Sequence, residues 1–370
     1  MTALRRWPWP FLLLIVGAGI ATTRLVPPLV LSSSVVLTVF LPPLLFDAAF
    51  SMELTAVRRE LRWILLLGLL GSILAGALTF VILTGLAFPA GEALLLSAVL
   101  AATDPVSVFA ALRRMRTPPR LRIALEGESL VNDAVTVVLF ALALALSHGG
   151  QVEPLGLAGL FVRLSAIGLV VGALMALITG RLLQVLPSGY HLPLTLIGSY
   201  LAYLLSDHLG GSGLLSVILL ALVLGRASHS PAHHRIHRFW RQLGFVMTAV
   251  IFLLVGLQVR VDVVLAVGIR LAFLVLAIWI ARLLMVVAVT AFAPRLWPWR
   301  YRVALSWAGL RGALSLALAL GIPVGVPERT EELSLVFGFI FISLAVQGLS
   351  IAPVFRLLRL GGGEAVPTVG

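Results

Sequence analysis

The 370-residue chain contains no cysteine and no lysine, and only 11% of its residues are charged. Without cysteine there are no disulfides, no thiolate metal sites and no thiol redox chemistry. The missing lysine, beside abundant Leu, Ala, Gly and Arg, reads as the mark of a GC-rich genome. Long polar stretches are missing too, so there is no room for a soluble domain. The apolar share is 60%, with mean hydropathy +1.10. A water-facing surface cannot hide that much apolar side chain, which makes this an integral membrane protein. The start, MTALRRWPWPFLLLIVGAGI, lacks a small-x-small cleavage site leading into a soluble region, so it reads as a first membrane helix, not a signal peptide.

Twelve apolar segments fall near 9–24, 29–50, 62–88, 92–113, 123–146, 155–180, 191–208, 212–226, 243–259, 262–291, 301–321 and 333–356. They predict an all-α membrane protein of about twelve transmembrane helices, some short and some long enough to tilt. With the N-terminus cytoplasmic, 20 of the 27 arginines fall on the inner side and only Arg24, Arg260 and Arg329 on the outer side. This alternation follows the positive-inside rule, places both termini in the cytoplasm, and explains most of the net charge of +12 as topology signal, with no nucleic-acid partner.

Arg163, Arg270, Arg282 and Arg311 remain near membrane depth, along with the carboxylates Asp47, Asp104, Glu128 and Asp133. Each such charge costs roughly 3 kcal/mol or more on insertion scales, so these residues are functional candidates. In GESLVNDAVTVVLF (127–140), Ser129, Asn132 and Asp133 stand at i, i+3 and i+4 and share one helix face. Their hydroxyl, amide oxygen and carboxylate are hard ligands suited to Na⁺ or Li⁺. Glu128 lies about 140° around the same helix from Asp133, so the two acids need different partners. Glu128 reads as a structural ion pair, with Arg282 and Arg311 as the available cations. Asp133, flanked by neutral ligands, reads as a site.

In AATDPVSVFAA (101–111), Pro105 should break the helix near Thr103 and Asp104. A break at membrane depth is tolerated where the freed carbonyls face protein, water or an ion. In SWAGLRGALSLALAL (306–320), Gly309 and Gly312 flank Arg311, permitting either unwound backbone or close helix packing. A second interrupted helix matching the first suggests an inverted repeat with both breaks at one site. LPPLLFDAAF (41–50) places Asp47 about one turn beyond Pro42 and Pro43, as an extra carboxylate near an ion path or a wet acid at the interface. GRASHSPAHHRIHRFWRQ (225–242) sets His233 and His237 at i and i+4. We read it as a basic amphipathic stretch at the cytoplasmic interface, anchored by Phe239 and Trp240, and not as a metal site.

Taken in order, LPPLLFDAAF, TDP (103–105), GESLVNDAVTVVLF, the Arg282 helix and GLRGALSLALAL (309–320) make the chain resemble the electroneutral monovalent cation/proton antiporters, the NhaP-like sodium–proton exchangers. The resemblance implies two inverted repeats with two unwound crossing helices. It implies one exchanger domain over 1–359, with a core bundle near 62–146 and 262–321, a dimerisation part from the other helices, and a short cytoplasmic tail at 360–370. It implies that Asp133 binds cation or proton, with Na⁺ held by Asp133, Asp104, Ser129 and Thr103 and with Asn132 and Asp47 near the ion. Asn132 replaces the second acid of the electrogenic branch, implying electroneutral exchange. Glu128, Arg282 and Arg311 would be structural. The partners implied are Na⁺ or Li⁺ and H⁺, the lipid bilayer of a prokaryotic inner membrane, and a second copy of the chain, with no cofactor. Many relatives have thirteen helices, the extra one being the first, and a long regulatory tail; neither is expected here.

The exchange itself follows from competition. A desolvated carboxylate is costly when bare, so it holds either a proton or a cation. Three rival readings are a K⁺/H⁺ antiporter of the same architecture, a channel, for which no filter-like loop is found, and an enzyme, for which no nucleophile or phosphate loop is found.

Overall fold

The structure, a computed structural model, describes residues 9–22, 35–52, 54–104, 117–147, 154–226, 231–257, 267–323 and 329–360. Every regular element among them is helical. In order they are α1 (Trp9–Thr22), α2 (Val36–Phe50), α3 (Thr55–Gly85), α4 (Ala90–Val99), α5 (Pro119–Ser147), α6 (Pro154–Val185), α7 (His191–His208), α8 (Gly213–Leu224), α9 (Pro231–Gly256), α10 (Gly268–Thr290), α11 (Trp299–Trp307), α12 (Ala313–Leu320) and α13 (Arg329–Leu357). Five of them, α3, α5, α6, α10 and α13, are long and apolar enough to cross a membrane by length and composition alone.

Local chemistry sets the helix ends. α5, α6 and α9 each start on a proline, whose fixed φ suits the first turn and whose missing N–H would have had no helical partner. Ser212 caps α8, its hydroxyl accepting from the Leu215 N–H at 3.3 Å. Within α2, α3 and α13 a single π-helical turn interrupts the helix, at 36–40, 66–70 and 344–348.

The helices pack in two sets. α3, α4, α5, α10, α11, α12 and α13 form one: α10 lies on α3, α5 on α3 and α4, and α13 on α10 and α12. α1, α2, α6, α7, α8 and α9 form the other: α8 lies on α6 and α2, and α9 on α1 and α2. α2 also touches α5 and α12 and so stands at the join. The α6–α8 crossing is tight. A Cβ built on Gly172 would sit 2.6 Å from the Ser216 carbonyl oxygen, so the two backbones approach as only glycine allows.

The expected segments appear with instructive differences. The fourth ends as a helix at Val99, and residues 102–104 are non-helical; Pro105 and the half-helix expected beyond it lie outside the described residues. The eleventh is two helices, α11 and α12, separated by residues 308–312. The ninth begins twelve residues early, because the histidine stretch continues its helix as the first half of α9. That half is amphipathic as expected, with Arg235, Arg238 and Arg241 exposed. Trp240, however, is no interfacial anchor. It is fully buried, stacks on Phe46 with ring centroids 3.9 Å apart, and donates its N–H to Thr195 Oγ1 at 3.1 Å. His233 and His237 stack on Phe50, and among the described residues no group of three metal-binding side chains occurs.

Gly172→Leu should push α6 from α8 and destabilise the protein by about 1–3 kcal/mol, the usual cost of overpacking. A lowered melting temperature in detergent checks this; an unchanged melt would mean that the crossing tolerates a side chain.

Candidate functional site

The two interruptions meet. The backbone N–H of Asp104, just past the end of α4, donates to the carbonyl of Leu310, between α11 and α12, at 2.7 Å. Gly312 lies directly against Asp104: a Cβ there would fall 2.5 Å from the Asp104 Cβ and Oδ2. Glycine is required because the two stretches cross in contact. Gly309 lies similarly against the guanidinium of Arg282.

α5 clamps the first interruption. Asn132 Nδ2 donates to the Ala101 carbonyl at 3.0 Å and to Thr103 Oγ1 at 3.1 Å. Its Oδ1 accepts from Thr136 Oγ1 at 3.0 Å. Ser129 Oγ donates to the Thr103 carbonyl and lies 3.1 Å from Thr103 Oγ1. The sequence pointed to Ser129 and Asn132 as cation ligands. The structure engages both with the backbone and side chain of the broken stretch, and neither lines the pocket. α13 clamps the second interruption in the same manner. Gln347 Nε2 donates to the Trp307 carbonyl at 3.1 Å, at the end of α11, and Gln347 Oε1 accepts from Ser343 Oγ at 2.7 Å. Sequence reading missed Gln347, Ser343 and Thr136. The available signal was a buried-length apolar segment carrying an amide, with a hydroxyl one turn away.

A pocket opens at the crossing. Thr103 and Asp104 line it from the first interruption, Asp133 from α5, Gly312, Ala313 and Ser315 from the start of α12, and Leu41, Leu44, Leu45 and Ala48 from α2. Asp133 is buried, and its Oδ1 has no hydrogen-bond partner among the described residues. Asp47 shares α2 with the apolar wall but is not part of the lining; its carboxylate lies against Gly244 of α9, where a Cβ would come within 3.1 Å of Oδ2.

The other ionisable groups sort by geometry. Glu128 takes Arg282 and not Arg311: Arg282 Nη2 reaches Glu128 Oε2 at 3.0 Å, Nη1 reaches Oε1, and Nη2 also donates to the Leu305 carbonyl at 3.2 Å. Arg311 is buried, and its Nη1 donates to the Gly309 carbonyl at 3.3 Å. Arg270 stands apart from the pocket. It lies in the first turn of α10, pairs with Glu92 of α4 at 2.6 Å and with Glu331 of α13, and sits over the Phe88 ring. Arg163 is exposed on α6 and does not line the pocket. Buried Glu60, paired with Arg120 at 3.0 Å, fixes α3 to the start of α5. Glu60 and Glu92 escaped sequence reading because they lie at segment ends, where an acid looks solvated.

The arrangement offers hard oxygens around a small pocket: two carboxylates and two hydroxyl side chains. Such a donor set suits an alkali cation and supplies no activated nucleophile. Glu128→Gln leaves the buried Arg282 without its counter-charge, and removing one partner of such a pair costs about 3–5 kcal/mol. The expected outcome is a lower melting temperature; an unshifted melt would deny Glu128 its structural role.

Comparison with known proteins shows the family and the fold. The family described as sodium/hydrogen exchanger, transmembrane, matches residues 2–357. The Na⁺/H⁺ antiporter ApNhaP of Aphanothece halophytica is 34% identical over 381 residues, covering 98% of this chain and 71% of that protein. The Na⁺/H⁺ antiporter NhaG of Bacillus atrophaeus is 34% identical over 385 residues, covering 97% and 72%. The solved structure of the sodium proton antiporter MjNhaP1 from Methanocaldococcus jannaschii at pH 8 has the same fold, with a TM-score of 0.79, 23% identity, and coverage of 95% of this chain and 92% of that one.

Proposed function

This chain belongs to the sodium/hydrogen exchanger family of multi-pass membrane transporters, and from that premise we propose that Asp133 is the group that carries Na⁺ or a proton in alternation. The protein exchanges Na⁺ for H⁺ across its membrane. The observation that carries the residue assignment is the buried Asp133 Oδ1, which has no hydrogen-bond partner among the described residues and belongs to a pocket shared with Asp104 and Thr103. A carboxylate locked to an arginine would be unavailable to a cation. Here Arg282 is taken by Glu128, which leaves Asp133 open to the pocket.

Burial makes the bare carboxylate the costly state, so the site accepts either a proton or a cation. Around the crossing lie three carboxylates, Asp104, Glu128 and Asp133, and two guanidinium groups, Arg282 and Arg311, of which Glu128 and Arg282 pair; with all five ionised they sum to one negative charge. A single proton or a single Na⁺ neutralises that charge. If only the neutral site crosses, one Na⁺ exchanges for one H⁺ and no charge moves. Asn132 supports this because its amide does not titrate. In this reading Asp133, Asp104 and Thr103 hold the ion, Ser129 and Asn132 hold the wall behind it, and Asp47 acts through α2 and α9. The site performs no catalysis.

The set of α3 to α5 and α10 to α13 acts as the moving core. The set of α1, α2 and α6 to α9 acts as the scaffold through which two copies assemble. The largely exposed apolar face of α6, with Val162, Val170 and Leu177, supports this. Arginine placement supports cytoplasmic termini in a prokaryotic inner membrane.

Asp133→Asn should abolish Na⁺-dependent dequenching of a pH dye in proteoliposomes while leaving the melting temperature intact. Exchange surviving that change would refute the assignment. With ΔpH imposed, clamping the voltage with valinomycin and K⁺ should leave the wild-type rate unchanged; a rate that follows voltage would exclude electroneutral exchange. Adding K⁺ or Li⁺ in place of Na⁺ in the same vesicles, without valinomycin, ranks the cations.

A further inference from the structure

Serines inside helices ordinarily donate to the carbonyl four residues back. Ser72, Ser306 and Ser334 do so here, to Gly68, Arg302 and Thr330. Ser315 does not. It occupies the first turn of α12, and the residue four back is Arg311, within the non-helical stretch between α11 and α12. The break that builds the crossing therefore removes the hydroxyl's usual acceptor. Ser315 is fully buried, its Oγ has no hydrogen-bond partner among the described residues, and it lines the same pocket as Asp133 and Asp104. Ser199 and Ser206 of α7 also hold buried hydroxyls without a partner, but neither lines this pocket. A buried hydroxyl without a partner is costly unless something occupies it for part of the working cycle.

We propose that Ser315 supplies a further oxygen ligand to the alkali cation held at Asp133 and Asp104, an inference that rests on the assignment of Asp133 as the ion carrier. The ligand set then includes a group from the second interrupted helix as well as the first, so the ion joins both halves of the crossing. A hydroxyl is a hard donor suited to Na⁺ or Li⁺, whereas a thiol of nearly the same size is soft and poor for either.

That difference supplies the test, made on the full chain in proteoliposomes and in detergent with Na⁺ as the probe. Ser315→Ala and Ser315→Cys should each raise the KM for Na⁺ about three- to tenfold, the loss of one net hydrogen-bond-sized contact, with the maximal rate retained. Both variants should need correspondingly more Na⁺ to reach the same rise in melting temperature, a readout independent of transport. Wild-type affinity in Ser315→Cys together with a defect in Ser315→Ala would overturn the inference, because space or hydrogen bonding would then be what matters. Loss of exchange in Asp133→Asn with both Ser315 variants unaltered would overturn it and leave the Asp133 assignment standing. Exchange that survives in Asp133→Asn would overturn both.

Discussion

A helix interrupted inside hydrocarbon exposes carbonyls and N–H groups that no water can satisfy, each at a cost of several kcal/mol. The site is organised around meeting that demand. The Ala101 and Thr103 carbonyls at the first interruption are taken by Asn132 and Ser129. Trp307 at the second is taken by Gln347. The two interruptions satisfy each other through Asp104 N–H and the Leu310 carbonyl. Among the described residues, the polar atoms of the crossing left without a hydrogen-bond partner are Asp133 Oδ1 and Ser315 Oγ, whose residues line the pocket, and Arg282 Nε and Arg311 Nε, whose residues do not.

Charge is divided on the same principle. Glu128 and Asp133 are five residues apart on one helix, and opposite faces give them opposite fates. Glu128 faces Arg282 and forms a two-pronged pair also tied to the Leu305 carbonyl, which makes α5, α10 and α11 one body. Asp133 faces the crossing and stays uncommitted. The pair contributes rigidity and no net charge, which leaves Asp104 and Asp133 as the carboxylates that line the pocket. Ion pairs at both ends of the bundle, Glu60 with Arg120 and Arg270 with Glu92 and Glu331, reinforce the same helices away from the ion.

Much of this was legible in order. The loss of helix before Asp104, the Gly309–Gly312 interruption and the Glu128 ion pair all follow from residue type and membrane depth. What could not be read was which donor meets which acceptor. Ser129, Asn132 and Asp133 share a face, and a shared face looks like a shared ligand set. The structure distinguishes them, because Ser129 and Asn132 hydrogen-bond to the backbone beyond the end of α4 while Asp133 lines the pocket. Asp47 shares α2 with the pocket wall, and its side chain lies on the α9 side against Gly244. Trp240 looked like an interfacial anchor because it sits among arginines, yet helical periodicity turns it inward onto Phe46.

By itself, the sequence determined the solvent and the chemistry on offer, since hydropathy and buried acids are properties of single segments and of the bilayer's intolerance of bare charge. Tertiary structure alone decided the partners: Arg282 over Arg311 for Glu128, the Thr103 and Ala101 carbonyls for Ser129 and Asn132, and Ser315 as a hydroxyl without an acceptor among the described residues. Those outcomes depend on distances of a few tenths of an ångström between helices far apart in the chain, and no local periodicity encodes them.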